Sequence, residues 1–201
     1  MGLRRIVTVE DDNPILRRET RLVRKVNRQV RKLLDDMVDT MRDADGVGLA
    51  GPQVGMDLRV CVVEVPVEVR YAETDQMGVV HHRHHIVWFE LARTRLCAET
   101  GVTYPEIEAL GYFLMLSDVQ VRYRAAVHYG ETAQVRCWVA ELSSRSLRFA
   151  YDIRVGERLC ATGETAHLWV RREDRKPVRL PEAVREGFVR VAGDAVRPPL
   201  A

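Results

Sequence analysis

No apolar run in this chain is long enough to cross a bilayer, because charged residues interrupt every hydrophobic stretch. The N-terminus, MGLRRIVTVEDD, lacks the apolar core of a secretory signal. Gly2 is not followed by the Ser or Thr that a myristoylation signal requires. Cytoplasmic location and no membrane insertion are therefore expected. Charge of one sign is also missing. The 31 Lys and Arg are set against 29 Asp and Glu, a formal net charge of +2. That balance argues against a dedicated nucleic-acid binder. Cysteine is scarce: Cys61, Cys97, Cys137 and Cys160 are far apart, form no C-x-x-C pair and sit in apolar contexts. Buried reduced thiols are expected, not a disulfide framework or a zinc site. No repeat or low-complexity tract is present.

The composition that remains is globular, 46% hydrophobic and 30% charged over 201 residues. The chain reads in three parts: residues 1–65, residues 66–183 and a tail at 184–201. In the first, Val30, Leu33, Leu34, Met37, Val38 and Met41 recur at helical spacing, with Asn27 as N-cap and Gly46 just past the end. Basic residues from Arg17 to Lys32 precede this stripe and aspartates from Asp35 to Asp45 follow it. The order opposes the helix dipole, so the apolar face needs a packing partner. The basic run is read as a solvated surface paired with acidic neighbours. A strand from Leu58 to Val65 closes this part.

The second part opens with Val67, Val69 and Tyr71 alternating with Glu68 and Arg70, which predicts a further strand. After a polar loop, Ile86, Val87, Trp88, Phe89, Leu91, Ala92 and Leu96 leave little polar face. They predict a helix buried on most sides and stopped at Gly101. Thr103 and Glu106 fit a capping box for a short second helix. Strands follow around Val119–Tyr123, Ala133–Val139, Leu147–Val155 and Leu159–Val170. One strand, one long helix and a run of antiparallel strands make an α+β fold with the helix on one sheet face.

The densest polar cluster lies where a strand ends and the long helix begins: Tyr71, Glu73, Thr74, Asp75, His81, His82, His84 and His85. A helix N-terminus offers unpaired N–H groups and the positive end of a dipole, which can hold an oxyanion. A nearby carboxylate can then act as base or nucleophile on the carbonyl held there. The alternative is that Asp75 caps the turn and the histidines are surface residues. His81 and His85 are four apart, as in a zincin helix, but His82 occupies the place of the required Glu and no third ligand is evident. No metal is expected.

The stretch TDQMGVVHHRHHIVWFELAR resembles the signature of the 4-hydroxybenzoyl-CoA thioesterase group of hotdog-fold acyl-CoA thioesterases. The likeness continues through RYRAAVHYGE, SSRSLRFAYDI and ERLCATGETAHLWV, over residues 66–183. It implies a sheet wrapped around one long helix, sites shared between subunits of a homodimer or homotetramer, and hydrolysis of an acyl thioester of coenzyme A or acyl carrier protein. No cofactor is implied beyond coenzyme A as part of the substrate. Carried over by the same likeness, Asp75 takes the place of the catalytic aspartate. His82 stands at the helix start that faces the thioester carbonyl, and Tyr71 matches a tyrosine of one branch. Gly78, with Val79 beside it, matches the loop that approaches the substrate. Ser144, Arg145 and Ser146 match a loop near the coenzyme A moiety. His81, His84 and His85 depart from the Tyr, Asn and Tyr usual there, which bears on the acyl pocket's shape.

The first part resembles a different family. DADGVGLAGPQVG looks like the first motif of peptide deformylase, with Gly46, Gly48, Pro52 and Gln53 matching and Gly51 in place of the usual Ala. The likeness covers residues 3–65. The Glu-Gly-Cys and HExxH motifs that would complete that family's metal site are absent from the chain, so deformylase chemistry is disfavoured. A segment of this size is near the lower limit for independent folding. A non-catalytic acyl-thioester-binding hotdog module is the remaining alternative, which would not need the Asp75 carboxylate.

Overall fold

The computed structural model describes residues 2–18, 20–21, 28–46, 48–58 and 61–192. Helix α1 runs Arg28–Asp43. Leu33, Met37, Val38 and Met41 are buried on one face, as their spacing requires. The expected cap Asn27 and the Val30 side chain lie outside the described residues. Strand β1, Gly48–Ala50, leads through a 3-10 turn at Gly51–Val54 into β2, Cys61–Glu68. The sequence pattern predicts two separate strands around residues 58–71. The structure has one, and it carries straight across residue 65. Pro66 is tolerated because the pairing with β1 ends at Val63, which leaves β2 one neighbour there. Tyr71 is not in the strand but opens a 3-10 turn, Tyr71–Glu73.

Helix α2 spans His82–Glu99 and α3 spans Tyr104–Ala109. The capping box forms as expected: Glu106 Oε2 accepts from the Thr103 amide and hydroxyl, both at 2.7 Å. Four long strands follow: β3 Tyr112–Tyr123, β4 Thr132–Leu142, β5 Ser146–Val155 and β6 Arg158–Arg171. Helix α4, Glu182–Ala192, comes last. The expected tail is therefore a core element as far as residue 192. Val184 and Phe188 are buried, and Phe188 meets Trp169 edge to face at 5.2 Å.

All six strands pair antiparallel in the order β1-β2-β4-β5-β6-β3. Helix α2 lies on one face of the sheet. Trp88, Phe89, Ala92 and Leu96 pack against Ala133, Val135, Cys137, Phe149, Tyr151 and Ile153. Phe89 stacks on Tyr151 at 4.2 Å. A Cβ at Gly163 would come within 2.4 Å of the Phe89 ring, so only glycine lets the helix sit this close. The other face near β2 is covered by α1. Val63 belongs to the α2 core while its neighbour Val62 packs with α1, as strand alternation dictates. Helix α2 is not buried on most sides, however. Val87 is 47% and Leu91 48% exposed, because nothing among the described residues covers that flank. Three of the cysteines are buried, Cys61 is half-buried, and none is in a disulfide.

An ion cluster fastens α1 to the sheet. The Glu64 carboxylate, 3% exposed, accepts from Arg42 Nε at 2.6 Å and Nη2 at 2.8 Å, and from Arg136 Nε at 3.1 Å. Arg136 also reaches Asp35 at 3.4 Å and Asp152 at 3.8 Å. Of the basic run, Arg17 pairs with Asp12, Arg21 with Asp57 and Lys32 with Asp36. Among the described residues no helix is long and apolar enough to cross a membrane.

Candidate active site

The loop between β2 and α2 is anchored by a residue to which the sequence pattern assigns no role. Glu73 ends the 3-10 turn with its carboxylate buried. It accepts from the Arg70 amide and Arg70 Nη2, both at 2.9 Å, and from Trp88 Nε1 at 3.5 Å. Its carbonyl accepts from the His81 amide at 2.8 Å. One side chain thus ties the loop's start to the body of α2, and its backbone ties it to the helix entrance. Burial works to raise the Glu73 pKa, but the bonds from Arg70 and Trp88 outweigh it and hold the group below its usual value.

From Thr74 the chain makes a tight excursion and returns. Thr74 bridges Val80, the Asp75 amide donates to the Val79 carbonyl at 2.9 Å, and the Gly78 amide donates to the Asp75 carbonyl at 2.9 Å. Gly78 has φ +73°, the left-handed conformation that the turn needs and glycine adopts freely. Asp75 Oδ1 accepts from the Met77 amide at 2.9 Å. The carboxylate therefore does cap the turn, with one oxygen, while Oδ2 has no partner among the described residues. The Val80 amide donates to the Val127 carbonyl at 2.8 Å, which docks the loop on the β3–β4 connection.

His81 caps α2 through Nδ1, which accepts from the Arg83 amide at 3.4 Å. His82 is the first helical residue, and its carbonyl accepts from the Tyr123 hydroxyl at 3.2 Å. Asp75, Met77, Val79, His82, His85 and Tyr123, with residues 124–127, line one open groove of about 340 Å³. Asp75, Val79 and His82 are thus brought together, with Gly78 making the turn between them.

The other predicted residues stand elsewhere. Tyr71 is 77% exposed and meets Tyr129 edge to face at 5.6 Å, away from the groove lining. Ser144, Arg145 and Ser146 form the β4–β5 turn. There the Arg145 carbonyl accepts from the Trp169 amide at 3.1 Å and the Ser144 carbonyl from the Leu180 amide at 2.8 Å. The loop docks beside the opposite end of β4, roughly 30 Å away at the rise of an extended strand. Within one chain these residues and Asp75 do not share a site. Among the described residues no group of three or more His, Cys, Asp or Glu is placed to hold a metal ion.

A family model described as the thioesterase-like superfamily matches residues 69–188. The chain belongs to that superfamily. Its antiparallel sheet with the long helix α2 on one face is the hotdog fold that the sequence led us to expect. YneP of Bacillus subtilis, a protein named as an acyl-CoA thioesterase, is 37% identical over 119 residues, 58% of this chain and 86% of that protein. The crystal structure of DHNA-CoA thioesterase from Staphylococcus aureus superposes with a TM-score of 0.62 at 30% identity. It covers 65% of this chain and 90% of that one. A second family model, polypeptide deformylase, matches residues 3–88 of this superfamily member and so overlaps the first. Peptide deformylase of Alkaliphilus metalliredigens is 51% identical over 65 residues, 32% of this chain and 43% of that enzyme. The likeness thus spans less than half of the deformylase.

Proposed function

We propose that the chain hydrolyses acyl thioesters of coenzyme A or acyl carrier protein to the free acid and thiol. The observation that carries this reading is the shared groove, where a carboxylate with one unpartnered oxygen stands beside the first turn of α2. The thioester carbonyl is held at that turn, whose amides and dipole stabilise the oxyanion as it forms. In one route Asp75 takes a proton from water as the water oxygen attacks the carbonyl carbon. The tetrahedral intermediate collapses, the carbon–sulfur bond breaks, and the thiolate takes up a proton. In the other, Asp75 attacks directly, expels the thiolate, and water then cleaves the mixed anhydride. Both need a carboxylate at residue 75 and neither needs a cofactor. Two relatives support the substrate class: the Bacillus protein, named as an acyl-CoA thioesterase, and the Staphylococcus DHNA-CoA thioesterase.

The reading extends to assembly and place. Strand β3 is an edge with Met115, Leu116 and Tyr123 exposed, and α2 leaves Val87 and Leu91 uncovered. A homodimer or homotetramer that pairs these edges and covers this flank removes both liabilities. It also offers a way for Tyr71 or the Ser144–Ser146 turn of a second copy to approach the groove. A cytoplasmic location fits a coenzyme A substrate.

The decisive experiment is the Asp75→Asn variant assayed against an acyl-CoA panel with thiol detection. We expect kcat to fall by about 100-fold or more while coenzyme A binding and the melting temperature stay close to wild type. Near-wild-type turnover in that variant would remove Asp75 from the mechanism.

A further inference from the structure

Helix α2 carries a buried charge that the proposed reaction does not use. Arg93 is 8% exposed. Its ion pair is Nη2 to Glu90 Oε2 at 3.2 Å, and the Glu90 side chain is 66% exposed. Water screens that carboxylate, so it offsets only part of the buried charge. Nε and Nη1 are enclosed and have no hydrogen-bond partner among the described residues. Together they carry three N–H bonds. The guanidinium stands among the Tyr104 and Tyr151 hydroxyls and the Cys97 thiol. The Tyr151 hydroxyl is engaged, 2.7 Å from that of Thr165. Tyr104 is the first residue of α3, and its enclosed hydroxyl beside Arg93 has no partner of its own. Burial pushes the Cys97 thiol up to about 12 and the Tyr104 phenol up as well, so neither supplies a negative charge.

A buried cation without a counter-charge is costly, and so are enclosed donors that meet no acceptor. One hydroxyl cannot serve three N–H bonds and still place its own hydrogen. A water molecule would bring two more hydrogens to a place already rich in donors. An anion brings charge and lone pairs and no hydrogen. We propose that Arg93 Nε and Nη1 and the Tyr104 hydroxyl form a binding site for a small monovalent anion, chloride, between α2 and α3. The ion supplies the counter-charge that Glu90 gives only in part, and it bridges the two helices. None of these residues lines the Asp75 groove, so the inference stands apart from the thioesterase reading.

The test follows the melting temperature of the full chain while sodium gluconate is replaced by sodium chloride at one ionic strength, which holds general screening constant. Binding to the folded state alone should raise it saturably, by about 3 °C at about 0.2 M chloride. Sodium bromide should act in the same way. Arg93→Met should abolish the rise. Tyr104→Phe, which keeps the ring and removes one donor, should weaken it. Glu90→Gln, which removes the exposed carboxylate, should enlarge it. Crystals soaked in bromide give a readout that needs no variant: an anomalous peak within hydrogen-bond reach of Arg93 Nε, Nη1 and the Tyr104 hydroxyl. Should Arg93→Met not fold, Tyr104→Phe and that peak decide. A wild-type melting temperature that ignores the halide would overturn the proposal. So would a rise that persists in Arg93→Met, or bromide-soaked crystals that hold only an ordered water beside Arg93.

Discussion

Glu73 carries no chemistry in the proposed mechanism, yet the site depends on it. In sequence it is one member of a polar cluster with no role of its own. Its distances instead make it a tether between Arg70, Trp88 and the helix entrance. His167 offers a sharper test at the same scale. It is buried on β6, where its Nε2 lies 2.9 Å from the Thr165 hydroxyl, which in turn meets the Tyr151 hydroxyl at 2.7 Å. Burial, helped by the Arg93 charge, pushes its pKa down to about 4. The folded chain therefore binds fewer protons than the unfolded one between about pH 6.5 and 4, and stability falls as the pH drops through that window. We expect this residue to cost about 3 kcal/mol across the window, read as a falling urea midpoint. His167→Gln should flatten that slope. An unchanged slope would mean that His167 is not the group titrating.

Helix α4 shows how an element can hide from a sequence reading. Residues 184–192 follow a Pro- and charge-containing stretch, which predicts a tail. Val184, Phe188 and Val191 nevertheless lie on one helical face, and that face is buried. Gly187 sets the crossing, since a Cβ there would stand 2.1 Å from the Thr100 carbonyl oxygen at the end of α2. Gly187→Ala must push α4 off α2 even though alanine is the better helix former. We expect a loss of about 1–3 kcal/mol, an overpacking cost, seen as a lower melting temperature. A melting temperature at or above wild type would mean that α4 is not seated on α2 in solution. Strand β2 carries a related lesson. The boundary expected at residue 65 falls inside it, yet the strand forms one continuous ladder against β4 from Val63 to Glu68.

At the scale of the molecule, the described part of the deformylase-like segment is tied to the sheet. It adds β1 to the edge of β2, covers the outer face with α1 and supplies Arg42 to the buried Glu64. Every groove residue follows residue 65, after these additions. A chain beginning at residue 61 keeps β2 whole while it leaves Glu64 without Arg42 and exposes the apolar face around Val62. We expect that truncation to sediment in the same oligomeric state as the full chain, whichever that is, and to keep its kcat/KM within about threefold. We also expect it to melt several degrees lower, because the buried Glu64 keeps only Arg136 of its two arginine partners. A soluble oligomer that still binds acyl-CoA but no longer hydrolyses it would show that the segment contributes to catalysis. A stable, fully active monomer of the full chain would contradict the shared-edge assembly.

Local pattern was enough for much of this protein. Helical spacing from Leu33 to Met41, alternation along β4 and β5, the Thr103–Glu106 box and the glycine of the Asp75 turn each depend on neighbours a few residues away. The tertiary structure decided what depends on distant partners. It turned Glu73 inward through Trp88, fifteen residues on, and clamped His85 with Tyr123 from another element. It held the Ser144–Ser146 turn at the far end of the sheet, and it ran a single strand across the boundary expected at residue 65. Burial and pairing between remote residues leave no periodic signature in a sequence, because the energy that sets them belongs to the packed pair and not to either segment alone.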